Sequence, residues 1–144
     1  MLDTLIQSSD EIHIKPTDFP GLQLTKPVIL SLKGTGPMSV DGQQVCIKDD
    51  VDKFKKIGVV YNSNNFQAGF GTITLDSGTL TYASNAVGND KKKLVLKGLN
   101  FVAKFTVDLP AIDPASGSPH SVKEVPNPNA SFLLKASFMH IQMA

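Results

Sequence analysis

One cysteine and three histidines, His13, Cys46, His120 and His140, are the soft metal-binding donors of the chain. One thiolate with three imidazoles has the donor number of a tetrahedral zinc site. Three of them stand between apolar residues in strand-like runs: "IHI" at 12–14, "VCI" at 45–47 and "MHI" at 139–141. Three adjacent strands could aim those side chains at one point. No two of the four have the close spacing that marks such sites in a sequence. The alternative is packing: unrelated strand residues, His120 in a loop, and Cys46 as a small apolar residue of a sheet. The two expectations are therefore a structural zinc or iron ion on His13, Cys46, His120 and His140, or no cofactor.

Catalysis has less to stand on. A cysteine nucleophile needs a base within reach and an electropositive, partly open setting. Strand alternation puts Cys46 on the face opposite Val45 and Ile47, together with Gln44 and Lys48. Lys48 could lower the thiol pKa, but a strand cysteine facing a second layer is as readily inert. Asp49, Asp50 and Asp52 cluster without the glycine-turned loop and distant glutamate of an EF-hand. They read instead as the acidic first turn of a short helix. No serine has a G-x-S-x-G setting. The expectation is a protein that is not an enzyme.

Composition narrows the partners. The 144 residues, 41% hydrophobic and 19% charged, suit one domain with a core that needs no disulfide. Net charge is +1 and all 14 basic residues are lysine, so the planar fork that grips phosphate is missing. With no tryptophan and two tyrosines, stacking platforms for bases are scarce. A nucleic-acid partner is not expected. "MLDTLIQSSDEIHI" has no basic stretch leading into an apolar run, so no signal peptide is read, and folding is expected in the cytoplasm. The apolar runs are far shorter than a membrane span.

Period-two patterning dominates the elements that must position these residues. Strands are expected over 11–15, 26–34, 56–62, 93–98 and 100–109, with 131–143 as one long strand or a strand pair. Asp41-Gly42 centres a hairpin over 38–48, and Asp76-Ser77-Gly78 a second over 71–84. Residues 62–66 form a polar turn. Residues 49–58 could instead be a helical turn capped by Gly58, and the first eight residues another. The lysine run at 89–94 reads as a solvated edge. Residues 110–129 carry five of the nine prolines; they read as an extended arm or linker to a final strand over 130–143, and not as a central strand. The fold class is mainly β: a small single domain, 1–144, of antiparallel hairpins in a layered cap or sandwich, with at most one or two short helical turns.

Weak internal similarity links "GTGPMSVDGQQV" at Gly34 with "GFGTITLDSGTL" at Gly69, and "VILSLKG" with "KLVLKG". Either hairpins of any β chain look alike, or a β unit repeats in a quasi-symmetric, layered fold. The glycines of each G-x-G suit places where one backbone approaches another closely.

"GTGPMSVDGQQVCIKDD" (34–50) resembles the G-x-x-x-V-x-V-N-G-K-P-V-x-x-x-G-D element of PAAR-like spike-tip proteins, in which an Asp/Asn-Gly hairpin is followed by an acidic end. "GFGTITLDSGTLTYASN" and "LVLKGLNFVAKFTVDLPA" are similar to divergent PAAR-like proteins near contractile injection systems and phage-tail-like particles. The resemblance covers 26–111; "QQVCIKDD" stands where the defining P-A-A-R would be. It implies a structural β-rich cap on a trimeric β-helical spike, driven into a target membrane by a type VI-like or phage-tail-like apparatus and able to leave the cell with it. The proline-rich segment and the last strand would seal the cap or hold effector cargo. Any metal would serve stability, through Cys46 and the histidines. A small β-sandwich binding or adaptor module, with 110–129 as a recognition loop, is the alternative.

Overall fold

The computed structural model describes residues 2–83 and 92–143. The chain is mainly β. Its first half holds β1 (Asp3–Thr4), β2 (Glu11–Ile14), β3 (Gln23–Leu24), β4 (Val28–Ser31), β5 (Ser39–Val40), β6 (Gln43–Gln44), the short helix α1 (Lys48–Lys53) and β7 (Lys56–Ser63). The second half holds β8 (Phe66–Leu75), β9 (Thr81–Tyr82), β10 (Val95–Leu96), β11 (Phe101–Leu109), β12 (Glu124–Ala130), β13 (Phe132–Leu133) and β14 (Gln142–Met143).

Alternation builds the main sheet, ordered β12-β11-β8-β7-β3 and antiparallel throughout. Phe101, Ala103 and Phe105 of β11, Ile73 and Leu75 of β8, and Val59 and Tyr61 of β7 fall on one buried face. They share a core with Ile12, Ile14, Val28, Leu30 and Phe132 of a three-stranded sheet, β13-β2-β4. Aromatic edges lock the centre: Phe105 lies 5.6 Å from Phe19 and 5.4 Å from Tyr61, centroid to centroid.

The Asp41-Gly42 hairpin forms, shorter than read: its pairing runs over 38–45, and Lys48 already opens α1. Val40 faces Gln43, and both turn residues have positive φ, 53° and 78°, as a type I′ turn requires. The second expected hairpin, over 71–84, does not form. β8 is already paired on both edges, by β7 and β11, so the chain after Leu75 has no edge to fold back on. Residues 77–79 make a 3-10 turn, and β9 pairs with β10 instead. The hairpin that β8 does make is with β7, around the polar turn at 62–66. The helical candidate shrinks to α1. Lys56 is already in β7, where Gly58 (φ 71°) sits in a bulge between Lys56 and Val59 rather than capping a helix. The first residues give strand β1, not a helical turn. The 131–143 stretch supplies two short strands, β13 and β14. Pro126 and Pro128 lie in β12, at the sheet edge, where a missing N–H is tolerated. Positions 89–91 of the lysine run fall outside the described residues.

The G-x-G glycines are close-approach sites. A Cβ on Gly34 would lie 2.2 Å from the Gln44 carbonyl oxygen, and one on Gly71 2.3 Å from that of Thr106. Gly71→Ala should therefore lower stability by about 1–3 kcal/mol in urea unfolding. Gly78→Ala, whose nearest atom would be 3.4 Å away, should stay within about 0.5 kcal/mol of the parent.

Candidate functional site

Three short segments far apart in sequence, residues 4–8, 44–48 and 93–97, converge on one point. Their central residues are Ile6, Cys46 and Val95. The Ile6 N–H donates to the Val95 carbonyl (2.9 Å), the Val95 N–H to the Cys46 carbonyl (3.0 Å) and the Cys46 N–H to the Ile6 carbonyl (2.9 Å). The ring is closed: each residue gives one bond and takes one.

The next shell repeats the operation. Ser8 N–H donates to Gln44 O (2.9 Å), Lys48 N–H to Lys93 O (2.9 Å) and Lys97 N–H to Thr4 O (2.8 Å). Antiparallel bridges Gln7–Val45, Ile47–Leu94 and Leu96–Leu5 lie between these bonds. Stepping from Ile6 to Cys46 to Val95 maps every bond onto the next, so the site has a quasi-three-fold axis. Each segment carries an outer strand: β14 beside β1, β5 beside β6 and β9 beside β10. Leu5 bonds Ile141, Val45 bonds Met38 and Ala83 bonds Leu94, at 2.8, 3.0 and 3.0 Å.

Alternation turns the ring into a floor between two apolar clusters. Ile6, Cys46 and Val95 face the main core. Leu5, Val45 and Leu96 pack on the other side with Ala83, Val40, Leu94 and Met143. Two of the three corners are stapled by a buried acid placed four residues after the ring residue. Asp10 accepts from Gln7 N–H (3.0 Å), and Asp50 from Ile47 N–H (2.9 Å). The Asp10 N–H returns to Gln7 O and the Asp50 N–H to Ile47 O. Asp50 also holds Thr35 through its N–H (3.0 Å) and hydroxyl (2.6 Å). Asp10 holds the C-terminal segment through Lys135 N–H (3.1 Å) and His140 Nε2 (2.6 Å). At the third corner Gly98 N–H reaches Asp3 instead (2.8 Å).

The four soft donors have different partners. His13 points off the outer face of β2 to Glu11 (3.1 Å). His120 stands beside Tyr61 Oη (3.3 Å) and against the Phe66 ring. His140 is bound to Asp10, and Cys46 is in the ring. Among the described residues, no three His, Cys, Asp or Glu side chains stand together as a metal-ligand group. Of the shared I-H-I, V-C-I and M-H-I contexts, only I-H-I lies in a strand, β2; Cys46 and His140 lie between strands. Cys46 is fully buried, and burial, then the charges of Asp50 and Asp10, pushes its thiol from 9.0 up to about 12. Lys48, on which a lowered pKa would depend, lies over the Tyr82 ring. The thiol is thus neutral at pH 7 and works as packing. Asp10 was not singled out by the sequence reading, and Asp50 only as a member of an acidic cluster. The signal for both was an aspartate four residues past an apolar strand centre.

A family model described as "Contractile injection system spike tip protein" matches residues 1–144, and the chain belongs to that family. The resemblance read over 26–111 thus extends along the whole chain. Comparison with the curated proteins found no match.

Two outcomes are expected of Cys46. In the unfolded chain the thiol ionises near 9 and in the folded chain near 12, so the unfolded state loses its proton first. The stability this burial protects is complete below pH 9 and falls as pH rises toward 12. Urea midpoints of the parent should drop faster from pH 9 to 11 than those of Cys46→Ala; parallel profiles would contradict this. Elemental mass spectrometry of the purified chain should find zinc and iron well below one ion per chain. A stoichiometric ion lost in Cys46→Ser would contradict the placement of Cys46.

Proposed function

We propose that this chain is the non-enzymatic tip of a contractile spike, seated as a single copy on a trimeric β-helical partner. One asymmetric chain meets three equal subunits only by offering one contact three times. The closed hydrogen-bond ring of Ile6, Cys46 and Val95, with its three arms, supports that arrangement. The outer strands β5, β9 and β14 each have one strand neighbour among the described residues. Among the described residues no strand pairs their other edges, which suits strand addition by the ends of a β-helix. A small cap stapled at its corners also suits the finer role of piercing a target membrane, in a type VI-like or phage-tail-like particle. The chain would fold in the cytoplasm without a signal peptide, join the particle and travel out with it. Among the described residues no helix is long and apolar enough to cross a membrane. The ring favours this reading over a free-standing adaptor sandwich, which has no use for three-fold repetition.

Co-expression with the spike protein of the same apparatus, followed by native mass spectrometry, tests the seat. One tip per three spike chains is expected. Equal numbers of tip and spike chains, or no complex, would contradict it. A lysine on an outer strand, Ser39→Lys, should weaken the complex about tenfold or more.

A further inference from the structure

A second surface lies where the two sheets part. β3 runs along β7 at Gln23–Asn62 and Leu24–Tyr61, and Thr25 N–H still reaches Val60 O (3.2 Å). Pro27 has no N–H to give, and there the chain leaves β7 and enters β4. From Val59 back to Lys56, β7 is paired by β8 on one side and by no strand on the other, among the described residues. β4 is likewise paired only by β2. Two unpaired strand edges therefore flank one groove of about 570 Å³, lined by residues 25–29 and 56–60.

The groove is apolar at its lips and positive at its ends. Ile29, Ile57 and Val60 are 55%, 67% and 42% exposed. Lys26 and Lys56 line it, and no acidic residue does. A separate, smaller hollow of about 390 Å³ is lined by Ser31 of β4 and by Lys33, Lys53 and Lys55. Its one acid, Asp50, is engaged by Thr35 and Ile47, and Lys53 is paired with Asp49. Among the described residues no ion pair involves Lys26, Lys33, Lys55 or Lys56.

We infer that this groove receives an extended segment of a partner protein, added as a strand between β4 and β7, in which apolar residues alternate with Asp or Glu. Alternate residues of an edge strand direct N–H and C=O away from the paired side, so both walls offer main-chain bonds. Apolar side chains of the guest would rest on Ile29, Ile57 and Val60. Its carboxylates would meet Lys26 and Lys56. A basic guest would face the unpaired lysines. The site is separate from the three-fold ring and does not depend on the spike seat.

The probe is a labelled eight-residue peptide alternating valine and glutamate, with a control in which lysine replaces every glutamate, titrated into the full chain by fluorescence anisotropy. The acidic peptide should bind at least tenfold more tightly than the basic one, and it should slow amide exchange at residues 28–31 and 56–60. Lys26→Glu/Lys56→Glu, both solvent-facing changes, should reverse the preference and leave the tip–spike complex intact. Equal binding, no binding, or a preference that survives the charge reversal would overturn the inference. So would loss of the spike complex in the charge-reversed variant, which would make the groove part of that seat. Dimerisation of the chain through Ile57, abolished by Ile57→Asp, would also overturn it by naming a second copy as the guest.

Discussion

A backbone N–H or C=O taken out of water must find a partner inside the protein or carry the full cost of desolvation. Ile6, Cys46 and Val95 are buried to within 1% of completely, and the point where they meet has no room for a regular ladder. Three segments meeting there satisfy one another in a cycle, and no fourth is needed. Everything around the ring follows from that closure. The two apolar clusters hold its faces, and Asp10 and Asp50 tie down the amides just outside it. The same closure buries Cys46, whose main chain is in the ring and whose side chain faces the core.

The two acids do more than staple corners. Asp50 joins the ring to the start of α1 and to Thr35, so the hairpin of β5 and β6 is fixed at its root. Asp10 joins the ring to residues 135 and 140, so the last segment of the chain is pinned against the first. Gln7, fully buried beside Asp10, adds a bond to the Met139 carbonyl (2.9 Å), although its own Oε1 has no partner. The body of the molecule, the five-stranded sheet, is joined to this node through the shared core.

Local rules carried much of the fold into the sequence. Asp41-Gly42 required its turn, the alternating β-branched runs required strands, and the prolines of 110–129 kept β12 at an edge. Partner choice was less legible. The pattern of residues 71–84 is that of two strands and a turn, but a period of two specifies which face is buried and not which strand lies alongside. The internal repeat was visible in kind, and one of its units, "KLVLK", was in place. The G-x-G pairs mark close backbone approaches, whereas the units that repeat are "TLIQS", "QVCIK" and "KLVLK". Such apolar triplets occur in any strand, and only their convergence distinguishes them. The histidines were equally hard to place, since a flanking pair of apolar residues says nothing of where segments meet.

The closed ring is tested most directly by amide hydrogen exchange at Ile6, Cys46 and Val95, followed residue by residue by NMR in increasing urea. Each N–H is held by the carbonyl of another member, so opening one corner frees the others. The three amides should exchange together, among the slowest in the chain, and merge with global unfolding at one common denaturant dependence. Exchange of one of them through local opening, with the other two still protected, would contradict the ring as a cooperative unit and with it the quasi-three-fold seat.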